Sequence, residues 1–388
     1  MAIGILFSKR RREIKWRSVE ILLLVNVFLA WFMLQFSVGR DMVMAVAAAF
    51  AWMMDAAYDG IAFAFADWVK PDVGQMNFFA AVLLPILLIV PIFDVLTYLG
   101  ILPFVVRWIG RGLSILTRQP KFESFYAIGM MFLGSVQTLA VSRLQLRRIK
   151  ADRNLTLAMM SMSSISAALV GVYIGLMPAQ YVLAAIPLNI VNALLVTGIL
   201  HPVRISTEED IVAQLDDAWK EREPFFAFLS NSIIGAGRLI LIVTATVIAF
   251  VAFIALIDKL LMLVHASLTL ESMLGYIMFP FAYLLGLSSG EAFQMAQYMG
   301  TKLIANEIVV MVTARDLMVS FTPHMQCVLT VFSTSFANFG TLALIIGAFK
   351  GIADEGRNEL VARNVGYMML SGVLVSLLSA AIAGLFVW

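Results

Sequence analysis

Glu307 follows Gly300-Thr301-Lys302-Leu303-Ile304-Ala305-Asn306 and precedes Ile308-Val309-Val310-Met311. A carboxylate inside an apolar stretch is costly unless paired or hydrated, so its default reading is a functional one. Its oxygens accept hydrogen bonds from vicinal hydroxyls, bind a proton or help hold a cation. Lys302 offers the plainer alternative of an ion pair that only braces the segment. The run Ser333-Thr334-Ser335-Phe336-Ala337-Asn338-Phe339-Gly340-Thr341 interrupts the apolar stretch 329–349. Asn338 and Thr341 stand three apart, on one face of a helix, where an amide and a hydroxyl can bind a polar ligand or simply bond between helices. Ser161-Met162-Ser163-Ser164-Ile165-Ser166 breaks the stretch 155–176 in the same manner. Hydroxyls and freed carbonyls at an unwound point suit a small cation, or again helix packing.

The elements that must position these groups belong to a membrane. The chain has 388 residues, 61% hydrophobic and 13% charged, against about half and about a quarter in soluble domains. So much apolar surface cannot be hidden in one water-soluble core, and lipid must be the solvent for most of it. The single cysteine, Cys327, excludes a disulfide framework and a cysteine zinc site. His201, His265 and His324 are far apart in sequence and read as helix-end or loop residues instead of ligands. The net charge of +2 carries no nucleic-acid signal, because the basic residues cluster beside apolar runs, as on the cytoplasmic flanks of membrane spans.

Lys9 to Arg17 hold six basic residues against one acid. The apolar run 21–36 that follows is read as a membrane helix with a cytoplasmic N-terminus, because more spans come after it. Residues 39–71 mix small apolar residues with Asp41, Asp55, Asp59 and Asp67, a pattern of an interfacial helix. The run 78–102 is apolar, and Arg107, Trp108, Arg111, Arg118 and Lys121 make an amphipathic cytoplasmic helix after it. Further spans are expected at 155–176, 181–200, 238–257, around 329–349 and at 365–388, with a solvated cytoplasmic loop over 201–224. Two segments do not fit simple spans, 124–146 and 275–312, the latter with Pro280, Gly286, Ser288, Ser289, Gly290 and Glu291. Broken apolar stretches read as re-entrant hairpins, and a matching pair in the two halves points to a transporter binding site. The expected fold is all-α and polytopic, with about seven to eight spans, two re-entrant hairpins and interfacial helices.

At these residues the sequence resembles the concentrative nucleoside transporter family. The resemblance runs from about Ser8 to the C-terminus. It is carried by Thr301-Lys302-Leu303 with Asn306-Glu307, and by Ser335-Phe336-Ala337-Asn338-Phe339. Leu274-Gly275-Tyr276-Ile277 with Pro280, Phe122-Glu123-Ser124-Phe125 and Pro202-Val203-Arg204 add to it. It implies a homotrimer in the bacterial cytoplasmic membrane, importing nucleosides by an ion-coupled elevator motion, with no further cofactor. Scaffold helices would occupy 1–120, the first hairpin and its broken helix 121–230, and the second hairpin, broken helix and last spans 231–388.

Carried over by position, Glu307 and Asn338 match the family's ribose-binding carboxylate and amide. Thr341 stands where a serine also contacts the sugar. The first hairpin normally reads Gly-Gln-Ser/Thr-Glu and meets the base. Here the ungapped register gives Gly134-Ser135-Val136-Gln137, with Thr138 next; a shift of two would align Gln137-Thr138 instead. In both registers the hairpin carboxylate is gone, so sugar recognition is retained and base selectivity altered. Leu133, Ser164 and Ile165 fall on the family's sodium positions, but Met130 replaces an asparagine ligand. A thioether suits a hard cation poorly, which favours a proton over sodium, with Glu307 the evident carboxylate of the transport core. A family helix before the basic segment is reduced to residues 1–7. The readings kept open beside nucleoside import are a receptor or scaffold of the same fold and an importer of a nucleoside-like solute. An enzyme is not indicated: no metal-binding cluster and no Ser/His motif stands out.

Overall fold

The computed structural model describes residues 1–69, 77–205, 209–210, 223–265, 268–352 and 355–388, and every regular element among them is helical. A short helix α1 (Ala2–Leu6) precedes α2 (Trp16–Leu34), an almost wholly apolar run. Next is α3 (Ser37–Ala64), whose buried stripe Val43, Ala47, Phe50, Met54, Ala57 and Ile61 repeats at helical spacing. Asp41, Asp55 and Asp59 lie on its exposed face, as an interfacial helix requires. It is nevertheless 28 residues long and apolar enough to cross a membrane.

A π-helical turn at Phe79–Leu83 leads through Pro85 into α4 (Ile86–Tyr98). The expected long span thus begins as an irregular turn and stops at Tyr98. Gly100, at φ +82°, turns the chain into the amphipathic α5 (Ile101–Thr117); the left-handed conformation is open to glycine without a Cβ clash.

The first broken segment folds as α6 (Lys121–Leu133) and α7 (Ser135–Val141), hinged at Gly134, and α8 (Arg143–Arg148). Then α9 (Ala151–Ser161) unwinds, and the chain recovers only at α10 (Val170–Ile174). The span expected over 155–176 is therefore two half-helices. Helix α11 (Ala179–Leu200) is the most enclosed span, with 83% of its apolar window buried. Asn192 on it donates to Ser379 at 2.9 Å, the kind of polar contact that ties helices in lipid. By contrast α12 (Phe225–Met262) is 38 residues long and only 6% buried, so lipid or another copy must be its solvent.

The second broken segment holds three helices where a two-armed hairpin was expected: α13 (Leu270–Tyr283), α14 (Ser289–Ile304) and α15 (Glu307–Arg315). Thr269 and Ser288 start the first two with reciprocal capping boxes, and Asn306 caps the third by accepting from Val309 N at 2.9 Å. The turn that carries Glu307 is thus Ala305-Asn306, between α14 and α15. The stretch 329–349 is likewise no single span. Helix α16 (Pro323–Ser333) ends, the chain is irregular to Asn338, and α17 (Phe339–Ile352) resumes. Helices α18 (Glu355–Ala362) and α19 (Val365–Gly384) complete the fold.

Among the described residues, six helical runs are long and apolar enough to cross a membrane: α2, α3, Phe79–Tyr98, α11, α12 and α19. The other expected crossings fall on α9–α10 and α16–α17, where no one helix carries them. The two unwound points approach each other across Gly372 of α19. A Cβ there would lie 2.9 Å from the Ala337 Cβ and 3.0 Å from the Met162 Cβ.

The basic clusters meet at one end of the molecule, as their positions in the sequence implied. Arg10 pairs with Asp152 at 3.0 Å, Lys150 with Glu209 at 2.7 Å, and Arg357 donates to the Ile149 carbonyl at 2.9 Å. The loop expected over 201–224 lies mostly outside the described residues, as do residues 70 and 71 of the interfacial stretch. At the same end His201, just past α11, is buried and shares a 3.0 Å hydrogen bond with Thr156. Burial pushes its pKa down to about 4; the charges of Lys9 and Arg10 add to this and Asp152 opposes it. The unfolded chain keeps a value of about 6.5. Between these values the unfolded state binds more protons, so this contribution to stability is complete above pH 6.5 and fades toward pH 4. Melting curves at pH 7 and pH 5 are expected to differ less for His201→Gln than for wild type.

Candidate functional site

Both broken segments and both unwound points converge on one cavity of about 500 Å³, within the usual range of about 300–1,000 Å³ for small-molecule sites. The tip Ala305-Asn306 delivers Glu307, which is 4% exposed. Tyr173 of α10 donates to Glu307 Oε1 at 3.0 Å, and Asn338 Nδ2 donates to Oε2 at 2.9 Å. The carboxylate therefore joins the second broken segment to both half-helix systems. Among the described residues no basic side chain pairs with it.

Lys302 makes no hydrogen bond or salt bridge to Glu307, and its charge reaches that carboxylate only through space. Its ammonium, fully buried, donates to the Phe332 carbonyl, to Ser335 Oγ at 2.6 Å and to Ser376 Oγ at 3.2 Å, and sits 4.4 Å from the Phe332 ring centroid. It satisfies a carbonyl freed where α16 ends, and Asn189 does the same for the Thr334 carbonyl. Unwinding a helix in lipid is tolerated only with such partners. The lysine is thus part of what holds the break open, a role that spacing to Glu307 concealed.

Asn338 and Thr341 do not simply share a helical face. Asn338 stands just before α17, and its Oδ1 accepts from Thr341 N at 2.7 Å, which leaves its amide nitrogen for Glu307. Both residues line the cavity. Gly134, at φ +85°, forms the tip of the first segment, and a Cβ on it would lie 2.9 Å from Ser166 Cβ. This close approach brings Ser135 and Gln137 to the cavity. Ser135 Oγ donates to the Ser161 carbonyl at 2.8 Å and shares a 2.8 Å bond with Ser164 Oγ.

Of the other expected site residues, Thr138 is buried away from the cavity, its methyl against Gly129. The side chain of Val136 lies outside the described residues. Leu133 lines the cavity, Ser164 is taken up by Ser135, and Ile165 is part of the apolar core. Met130 is fully buried among apolar side chains.

Two residues escaped the sequence reading. Tyr173 gave no signal beyond a phenol in a half-span. Asp94 lines the cavity from α4; its position inside Leu88-Ile89-Val90-Pro91-Ile92-Phe93-Asp94-Val95-Leu96 was the usable sign. The cavity lining thus carries two carboxylates and no basic side chain among the described residues. Such a lining suits a neutral, hydroxyl-rich or proton-donating solute better than an anion.

Comparison with known proteins gives a consistent result. The family described as Na+ dependent nucleoside transporter C-terminus matches residues 181–384, and its N-terminal counterpart matches residues 1–68. The Purine nucleoside transport protein NupG of Bacillus subtilis (strain 168) is 42% identical over 388 residues, covering 100% of this chain and 97% of that protein. The Nucleoside permease NupC of Helicobacter pylori is 25% identical, covering 99% and 95%. Among solved structures, CNTnw in an inward-facing substrate-bound state superposes with a TM-score of 0.91 at 25% identity, covering 99% of this chain and 94% of that one. A CNTnw variant in an outward-facing state gives 0.92 at the same identity, with the same coverage.

Proposed function

Because the chain belongs to the Na+ dependent, concentrative nucleoside transporter family, we propose that it is a proton-coupled importer of purine nucleosides. The observation that carries this reading is Glu307, a buried carboxylate with no salt-bridged basic side chain among the described residues, held by Tyr173 and Asn338 on the wall of a cavity of ligand size. A carboxylate so placed is costly alone. Vicinal ribose hydroxyls relieve that cost by donating to its oxygens, with Asn338 and Thr341 beside them. The purine preference draws on the name of the relative that is 42% identical along the full chain. Ser135 and Gln137 take the base side, where Gln137 offers a donor as well as an acceptor.

Proton coupling is favoured over sodium by what surrounds the expected cation position. Ser164 Oγ is bonded to Ser135, and Met130 presents sulfur among apolar groups, while a hard cation wants oxygen. Glu307 is the group able to take the proton. The protein works as a homotrimer in the bacterial cytoplasmic membrane, with the hairpins and broken helices moving against α2, α4 and α12. The test is uptake of labelled inosine, guanosine and uridine into proteoliposomes. Purine uptake should rise with an imposed proton gradient and ignore a sodium jump at constant pH. Uptake driven by sodium alone would reverse the ion assignment; no uptake of any nucleoside would remove the substrate.

A further inference from the structure

The side of the cavity built by α4 and α12 is apolar except at Asp94, Thr97 and Thr246. Asp94 is half-buried, and Ser232 of α12 donates to its Oδ2. No other hydrogen-bond partner is found for it among the described residues, and Asp94 is part of the cavity lining. With Glu307 it makes up the ionisable lining, on which no basic side chain lies among the described residues.

A carboxylate kept on a ligand cavity demands a donor from whatever enters. With a ribose held at Glu307 and Asn338, the part of the ligand still unmatched is the edge of the base. Gln137 can adapt to that edge as donor or acceptor, but it does not fix a polarity. Asp94 does, since an ionised carboxylate only accepts. We propose that Asp94 is a specificity residue whose Oδ1 accepts an N–H of the base, selecting nucleosides with a ring N–H, such as 6-oxopurines, over those blocked there. The proposal rests on the nucleoside reading above. The plainer role for Asp94 is to brace α4 on α12 through Ser232, and the experiment must separate the two.

Binding of inosine and of 1-methylinosine is measured by calorimetry on the purified full-length protein, as wild type, Asp94→Asn and Ser232→Ala. The asparagine is isosteric, so a purely steric penalty for the methyl group would survive it. A carboxylate left unpaired by the methylated base should cost wild type about tenfold or more in affinity. In Asp94→Asn that preference should fall below about threefold while inosine still binds, and in Ser232→Ala it should stay near the wild-type value. If the asparagine variant fails to fold, Asp94→Ala is compared in its place. An unchanged ratio in the Asp94 variant overturns the proposal, as does an equal collapse in Ser232→Ala, which would leave only the brace. An unchanged ratio with a flattened pH dependence of uptake would move Asp94 to the proton path and also overturns it. Failure of wild type to bind any nucleoside overturns the nucleoside reading itself, a result distinct from all of these.

Discussion

Glu307→Gln is expected to abolish nucleoside binding at concentrations that saturate wild type. The carboxylate accepts from Tyr173 and Asn338 through separate oxygens and is argued to accept from the ribose as well. Glutamine turns one oxygen into an NH2, which meets the Asn338 amide donor against donor or reverses the Tyr173 bond, and in either case removes the charge and an acceptor that two ribose hydroxyls would use. Hydrogen bonds to a charged group contribute about 1.5–3 kcal/mol each, so losing two costs about 3–6 kcal/mol, or roughly 100-fold to 10,000-fold in affinity. Tyr173→Phe removes one of the supporting donors and should weaken binding by one such step, about 10–100-fold. Thermal stabilisation by inosine reports both, since a ligand that binds only the folded state raises its melting point. Undiminished stabilisation in Glu307→Gln would show that the carboxylate does not hold the sugar.

Arg153→Met should be the most damaging change to the fold. Arg153 and Glu123 are 1% and 4% exposed, and the guanidinium meets both carboxylate oxygens, at 2.8 and 2.7 Å. Arg153 also donates to the Glu209 carbonyl at 2.9 Å. Removing the arginine leaves a buried charge unpaired, which costs about 3–5 kcal/mol. Removing both charges, as Arg153→Met with Glu123→Leu, should recover most of that loss, because an apolar pair of similar volume is often neutral. Denaturant unfolding of the two proteins side by side decides it; equal destabilisation of single and double variants would count against the pair.

The family and three of the residues that meet at the cavity were legible because their chemistry is local. An acid, an amide and a hydroxyl in apolar runs stand out by composition alone, and the structure brings Glu307, Asn338 and Thr341 to one cavity. What stayed hidden is settled by long-range contacts. Lys302 lies five residues from Glu307 in sequence, yet its hydrogen bonds go to Phe332, Ser335 and Ser376. Sequence proximity offered the ion pair only as the plainer alternative, and Lys302 instead satisfies the orphaned carbonyl at the end of α16. The Arg153–Glu123 pair spans 30 positions, and only the first of its members lay within a motif-like run, Phe122-Glu123-Ser124-Phe125. Thr138 was read with its neighbours, but the pitch of α7 turns it to Gly129 while Ser135 and Gln137 reach the cavity. The breaks themselves were visible as serine-rich interruptions; that they meet against Gly372 was not, since nothing local marks that glycine.

Helix α12 is also a depth gauge. Between Arg238 and Asp258 it carries 19 uncharged residues, about 28 Å at 1.5 Å per residue, close to the roughly 30 Å of hydrocarbon in a bilayer. Arg238 and Asp258 are thus spaced as the two faces of a bilayer would require. Ser232 precedes Arg238 by six residues, about 9 Å further toward the basic end, and its hydroxyl holds Asp94. Asp94 is thereby tied to the part of α12 that extends past Arg238, the basic end of its apolar run. A nucleoside with its sugar at Glu307 and its base at Asp94 would lie lengthwise beside α12, base toward the basic end.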